Sequence, residues 1–134
     1  MHLITKMLSF CSKGGIILPY KIVFYKTQSG KVPVREYLKD IRKLYGDNEL
    51  NTIRLFLDLL KKHGMTINNY RSHAIRHINN ELYELRPGGN RIFFFYFKDE
   101  EFVLLHAYRK QKMEAPKFEI DTAIKRLKDY KRRF

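Results

Sequence analysis

The side chains with the most chemistry to offer lie between Glu84 and Lys112: Glu84, Arg86, Arg91, His106, Tyr108, Arg109, Lys110 and Lys112. Cutting RNA without a metal needs a group that takes the 2′-hydroxyl proton, donors for a pentacoordinate phosphorus, and an acid near the leaving oxygen. His106 offers an acid or a base. Tyr108 offers the same where nearby cations lower its pKa, or it stacks on a base instead. Arg91 and Arg86 bring planar forks of donors that suit phosphate, and Arg109, Lys110 and Lys112 add charge. Quieter uses exist for the same residues. A strand-borne histidine among aromatics is commonly packed and hydrogen-bonded, and Arg91 can pair with Glu84 or Glu101. As an exposed charge, Arg91 is expected to change stability by no more than about 1 kcal/mol when replaced by alanine.

Such residues need a rigid frame, and the apolar pattern predicts a sheet. Leu82 to Arg86, Arg91 to Phe97 and Phe102 to Tyr108 read as three strands. Pro87 to Asn90 and Lys98 to Glu101 join them tightly, which predicts an antiparallel meander. Alternation puts Arg91, Phe93, Phe95 and Phe97 on one face of the middle strand and Ile92, Phe94 and Tyr96 on the other. Both faces are apolar, so this strand is central and Arg91 stands at the rim of the sheet. In the last strand His106 and Tyr108 point the same way.

The flanking elements follow from periodicity. Tyr20 to Tyr25 predicts a first strand and Thr27 to Lys31 a turn. Pro33 opens a helix whose stripe is Tyr37, Leu38, Ile41, Leu44 and Tyr45, stopped by Gly46. Asp47 can cap a second helix with the stripe Leu50, Ile53, Phe56, Leu57 and Leu60, ended by Gly64. Residues 65–80 are polar and give no clear period. Pro116 starts a last amphipathic helix through Phe118, Ile120, Ala123, Ile124 and Leu127, and the cations Lys125 and Arg126 open its basic end. The resulting class is α+β: a small, antiparallel-dominated sheet of about four strands, with two N-terminal helices and a C-terminal helix packed on it. Residues 1–19 read as a leader without clear structure, and 20–134 as one domain.

Composition narrows the partners. The 134 residues carry 27 Lys and Arg against 14 Asp and Glu, a formal charge of +13, so an anionic partner is expected. The single cysteine, Cys11, excludes an intramolecular disulfide and has no CxxC partner for structural zinc, which suits a reducing, cytoplasmic compartment. The apolar runs fall far short of the ~20 residues that span a bilayer. His73 and His77 stand four apart, but Arg71 and Arg76 beside them repel a cation, so neither a metal nor another cofactor is expected. There is no Walker motif and no serine nucleophile elbow.

The stretch Glu81-Leu-Tyr-Glu-Leu-Arg86, then Gly88, Gly89, Asn90 and Arg91-Ile-Phe-Phe-Phe-Tyr96, then Val103-Leu-Leu-His-Ala-Tyr-Arg-Lys110, closing with Pro116 and a basic helix, resembles the RelE/ParE toxin superfamily. It looks closest to the phage-related HigB-type branch, and the similarity covers about residues 20–130. The resemblance implies a RelE-like fold and the toxin of a type II toxin-antitoxin pair. It also implies a ribosome-dependent messenger RNA endoribonuclease that works by 2′-hydroxyl attack without metal; the alternative is a ParE-like inhibitor of DNA gyrase that acts by protein contact. The partners implied are an antitoxin, of helix-turn-helix type for the HigB branch, and the ribosome with its message, with no membrane. By resemblance Arg91, the pair Arg109 and Lys110, and Glu84 fall on the family's site positions; with His106 and Tyr108, read from their own chemistry, the candidate catalytic set is Arg91, Lys110, His106, Glu84 and Tyr108. Arg86, Arg109, Lys112, Lys125 and Arg126 would hold RNA. Two departures stand out. Glu84 replaces the family's second-strand lysine, so it can accept a proton but supplies no positive charge, and Lys112 is an alternative to Lys110.

Overall fold

The computed structural model describes residues 18–134, so Cys11 and most of the predicted leader lie outside the described residues. Strand β1 (Lys21–Phe24) leads through a turn to α1 (Pro33–Tyr45) and α2 (Asp47–His63). A 3-10 turn (Gly64–Asn69) follows, then β2 (Ile75–Asn79), β3 (Leu82–Leu85), β4 (Asn90–Phe97), β5 (Glu101–Arg109) and α3 (Lys117–Arg133). The class is α+β, as the pattern predicts.

The sheet has five strands rather than about four, in the order β1-β5-β4-β3-β2. Sequence reading misses β2, because Ile-Arg-His-Ile-Asn at an edge buries only Ile75 fully and carries a bulge between His77 and Asn79. His73 and His77 therefore do not share a helix: one sits in a turn, the other on β2, where its Nε2 lies 2.9 Å from the Asn80 carbonyl. Pairing is antiparallel from β2 to β5, and β1 adds in parallel along β5, with Lys21 opposite Glu101.

Each face of β4 builds its own core, as alternation requires. Ile92 and Phe94 join Ile53, Phe56 and Leu60 under α1 and α2. Phe93 and Phe95 pack with Ala123, Leu127 and Tyr130 of α3 on the opposite side. All four of these β4 side chains are fully buried, and burying each aromatic or branched side chain contributes about 2 kcal/mol. The start of α2 differs from expectation in detail. Gly46 occupies the cap position without a side-chain bond, while Asp47 is the first helical residue and accepts from Arg42 Nε at 2.9 Å. At the far end Gly64 has φ 59°, and a Cβ there would meet the Tyr20 ring at 2.6 Å, so glycine alone fits that helix exit.

β5 contains a bulge. Phe93 faces His106 and Phe94 faces Leu104, which leaves Leu105 without a cross-strand partner. The extra residue turns Leu105 and His106 toward the α3 face in succession and keeps Tyr108 on that face as well.

Candidate functional site

The rim of the sheet at the β3–β4 connection gathers charge. Gly88, with φ 62°, lets the chain reverse within four residues, and the Asn90 amide closes the turn on the Pro87 carbonyl at 3.0 Å. Arg91 opens β4 on the face of Tyr108, its opposite number on β5, while Glu84 of β3 stands opposite Phe93 on the same face. Tyr108 donates its hydroxyl hydrogen to Glu84 Oε2 at 2.9 Å. Glu84 Oε1 lies 3.9 Å from Arg91 Nε and 3.8 Å from Arg86 Nε. One buried carboxylate thus serves two guanidiniums and a phenol.

Arg91 is only 6% exposed, so the expectation of a surface charge gives way to a buried one. Its Nη1 donates to the carbonyls of Gly88 at 2.8 Å and Asn90 at 2.9 Å. Burial, then the neighbouring Arg86, lowers its pKa from the ordinary guanidinium value. Arg86 Nε is buried, and among the described residues it has no hydrogen-bond acceptor. An unmet cationic donor of this kind is costly unless an anion or water completes it.

The cations around Tyr108 do not activate it. Burial, followed by the Glu84 carboxylate, pushes its hydroxyl well above the usual phenol range. The condition for Tyr108 to act as a base is therefore not met, and it stays a protonated donor that positions Glu84.

In front of Arg86 and Arg91 lies an open cavity of about 530 Å³, floored by Phe56 and the Gly88 turn. Arg71, Ser72 and His73 complete its wall. These three come from the turn before β2, a segment whose polarity reads as plain loop in the sequence. Their concentration next to a strand is the signal that could have found them.

His106 is held differently. Its Nε2 lies 2.7 Å from Glu119 Oε1 and its Nδ1 3.1 Å from Arg126 Nη1, so the neutral ring donates to the glutamate and accepts from the arginine. Burial lowers its pKa from the ordinary value, against the opposing pull of Glu119. Arg126 also donates to the Leu105 carbonyl at 3.0 Å, satisfying the bulged residue. Both ring nitrogens are used within the protein, so His106 ties β5 to α3, and Arg126 is a half-buried strut rather than an open contact.

The remaining residues disperse. Arg109 turns toward the helical face opposite Arg91, where it donates to Glu49 Oε1 at 2.5 Å and to Asn90 Oδ1 at 3.2 Å and stacks on Tyr45. Asn90 in turn donates to Glu49 and accepts from the Tyr37 hydroxyl at 2.7 Å. Glu49, which the sequence marks only as an acid in the first turn of its helix, thereby anchors the turn that carries Arg91. Lys110 and Lys112 are exposed after β5, and Lys112 lines a cavity of about 300 Å³ with Tyr108 and Glu119. Lys125 stands on a separate groove beside α3 with Tyr25, Lys128 and Arg132.

Residues 39–128 match the family model described as Phage derived protein Gp49-like (DUF891), a span that includes the rim, the cavity wall and the His106 seam. A search of curated proteins found no match. Among the described residues no helix is long and apolar enough to cross a membrane.

Proposed function

The chain belongs to the Gp49-like family of phage-derived proteins, within the RelE/ParE-like toxin group, and from that membership we propose a type II toxin of the HigB branch that cuts messenger RNA on the ribosome. The reaction is metal-free: the 2′-oxygen attacks the adjacent phosphorus, the bond to the 5′-oxygen breaks, and a cyclic phosphate and a 5′-hydroxyl result. The observation that carries the reading is the convergence of Arg71, Arg86 and Arg91 on one open cavity, behind which Glu84 is the one fully buried carboxylate among the described residues. Three guanidiniums at one place attract a phosphodiester and stabilise the charge that builds on its oxygens. Among the described residues the hydrogen bonds of Arg91 use Nη1 alone, which leaves Nη2 for a phosphate oxygen. Glu84 orients Arg86 and Arg91, and Lys110 and Lys112 hold flanking phosphates. The wider basic surface, Lys125 included, meets ribosomal RNA in the cytoplasm, and a helix-turn-helix antitoxin covers the toxin until release.

Translation of a defined message in a reconstituted system, with new 5′ ends mapped, tests the reading. Cuts that appear only on translated RNA support it, and an intact message at saturating toxin overturns it. One observation favours a second reading, inhibition of DNA gyrase by protein contact: His106 and Tyr108 are both engaged within the protein. Supercoiling inhibition that survives Arg91→Ala would select that alternative.

A further inference from the structure

With His106 tied at both nitrogens and Tyr108 kept as a donor, the proposed reaction needs a proton acceptor from elsewhere. His73 lines the same cavity as Arg71, Arg86 and Arg91, and it is exposed. Among the described residues its imidazole makes no hydrogen bond, ion pair or ring contact. Its backbone is also unusual. His73 has φ 60°, a left-handed conformation that a non-glycine side chain adopts at a cost. The turn that imposes it is fastened on both sides, by the Ala74 amide on the Arg71 carbonyl at 3.2 Å and by the Arg86 amide on the Ala74 carbonyl at 2.8 Å. The second bond couples the backbone around His73 to Arg86. Strain of this sort persists where the surrounding structure holds it, and it clusters at working sites.

We infer that His73 is the general base of the site, placed by its strained turn against an RNA phosphodiester held by Arg71, Arg86 and Arg91. This rests on the nuclease reading above and adds the residue that moves the proton. The imidazole takes the 2′-hydroxyl proton as the 2′-oxygen bonds to phosphorus. The phosphorus–O5′ bond breaks, and O5′ takes a proton from water. The charged groups that line the cavity with His73 are Arg71 on its own turn, Arg86 at the end of β3 and Arg91 at the start of β4, with Glu84 behind the last two and Arg76 of β2, opposite Glu84, acting on Arg91; α2 contributes only Phe56.

His73→Gly gives a clean test, because glycine accepts the left-handed backbone and leaves a hole the size of the ring. In the reconstituted translation assay the full-length variant should lose cleavage by roughly 10²- to 10⁴-fold, the usual share of a positioned base. Its thermal midpoint should equal or exceed that of the wild type. Added free imidazole should restore cleavage at the same message positions, an effect a merely structural role would not produce. Wild-type protein that leaves translated message intact would sink the nuclease reading itself. Wild-type cleavage matched by His73→Gly, or a defect that imidazole does not relieve in a stably folded variant, would overturn the role of His73 alone.

Discussion

Two polar clusters flank the same stretch of β5, and they are built from the same parts in different proportions. At the seam with α3, both ring nitrogens of His106 are taken, by Glu119 and by Arg126 Nη1, and the same Nη1 also reaches the carbonyl of the bulged Leu105. At the rim, Arg71, Arg86 and Arg91 outnumber Glu84, and Arg86 Nε, 3.8 Å from the Glu84 carboxylate, makes no hydrogen bond among the described residues. Balance marks a tie between elements, because every buried group is already satisfied. Surplus of one sign suits the anionic partner proposed above. The residue types alone do not separate the two cases, and the count of donors against acceptors does.

Changes that upset this contrast should rank accordingly. Arg91→Ala should have the largest effect, lowering cleavage in the translation assay by about 10³-fold, or about 4 kcal/mol of transition-state stabilisation. It should also lower stability by about 1–3 kcal/mol, since the guanidinium is buried on two carbonyls. Wild-type cleavage by this variant would mean that the rim's surplus charge is not the site. Next, Glu84→Ala should cost about 3 kcal/mol in urea unfolding, because it strands Tyr108 and two arginines. Tyr108→Phe should cost only about 1 kcal/mol in the same measurement.

At the seam, His106→Gln should cost about 1 kcal/mol at neutral pH and show a pH signature. Burial holds the folded imidazole below its ordinary value of 6.5, so on acidification the unfolded chain takes up the proton first. The stabilisation from His106 is therefore complete above that value and is lost as the pH falls below it. Thermal midpoints of wild type and variant should converge between about pH 7 and pH 5; a constant gap would contradict the clamp. The smallest effect belongs to Glu49→Ala, under about 1 kcal/mol for a partly exposed pair. The bond from Arg109 lowers the Glu49 pKa from its ordinary value of 4.5. That contribution is present above 4.5 and fades below it, and a urea series at two pH values would detect it.

Most of the fold could be read from the chain because its apolar periods are long and unbroken. The stripe of α2, the first turns of the α1 stripe, the two-faced aromatic run of β4 and the glycine-bounded turn fall where the pattern puts them, whereas Leu44 and Tyr45 at the end of the α1 stripe are exposed. β2 escaped because an edge strand with a bulge shows no clean alternation. In the site, alternation put His106 and Tyr108 on one face of the last strand and Arg91 on one face of the middle strand, and the register adds that these faces are the same and that Glu84 shares it. What a strand pattern does not carry is where a long side chain ends. Arg109 follows Tyr108 directly and so leaves on the other face, toward a glutamate on α2. Arg126 turns inward to the carbonyl of Leu105, the residue at the bulge. Arg71 and His73 depend on a turn whose backbone conformation leaves no period at all.

The parallel pairing of β1 with β5 has a bearing on how the molecule comes into being. The meander from β2 to β5 closes through neighbours in the chain, whereas Lys21 must find Glu101 across everything in between, a contact that is slow to form and late to be rewarded. On a chain emerging from its N-terminus, the first strand waits unpaired until β5 has been synthesised. The finished sheet, and with it a rigid cationic rim, therefore comes together only when most of the polypeptide has left the machine that makes it.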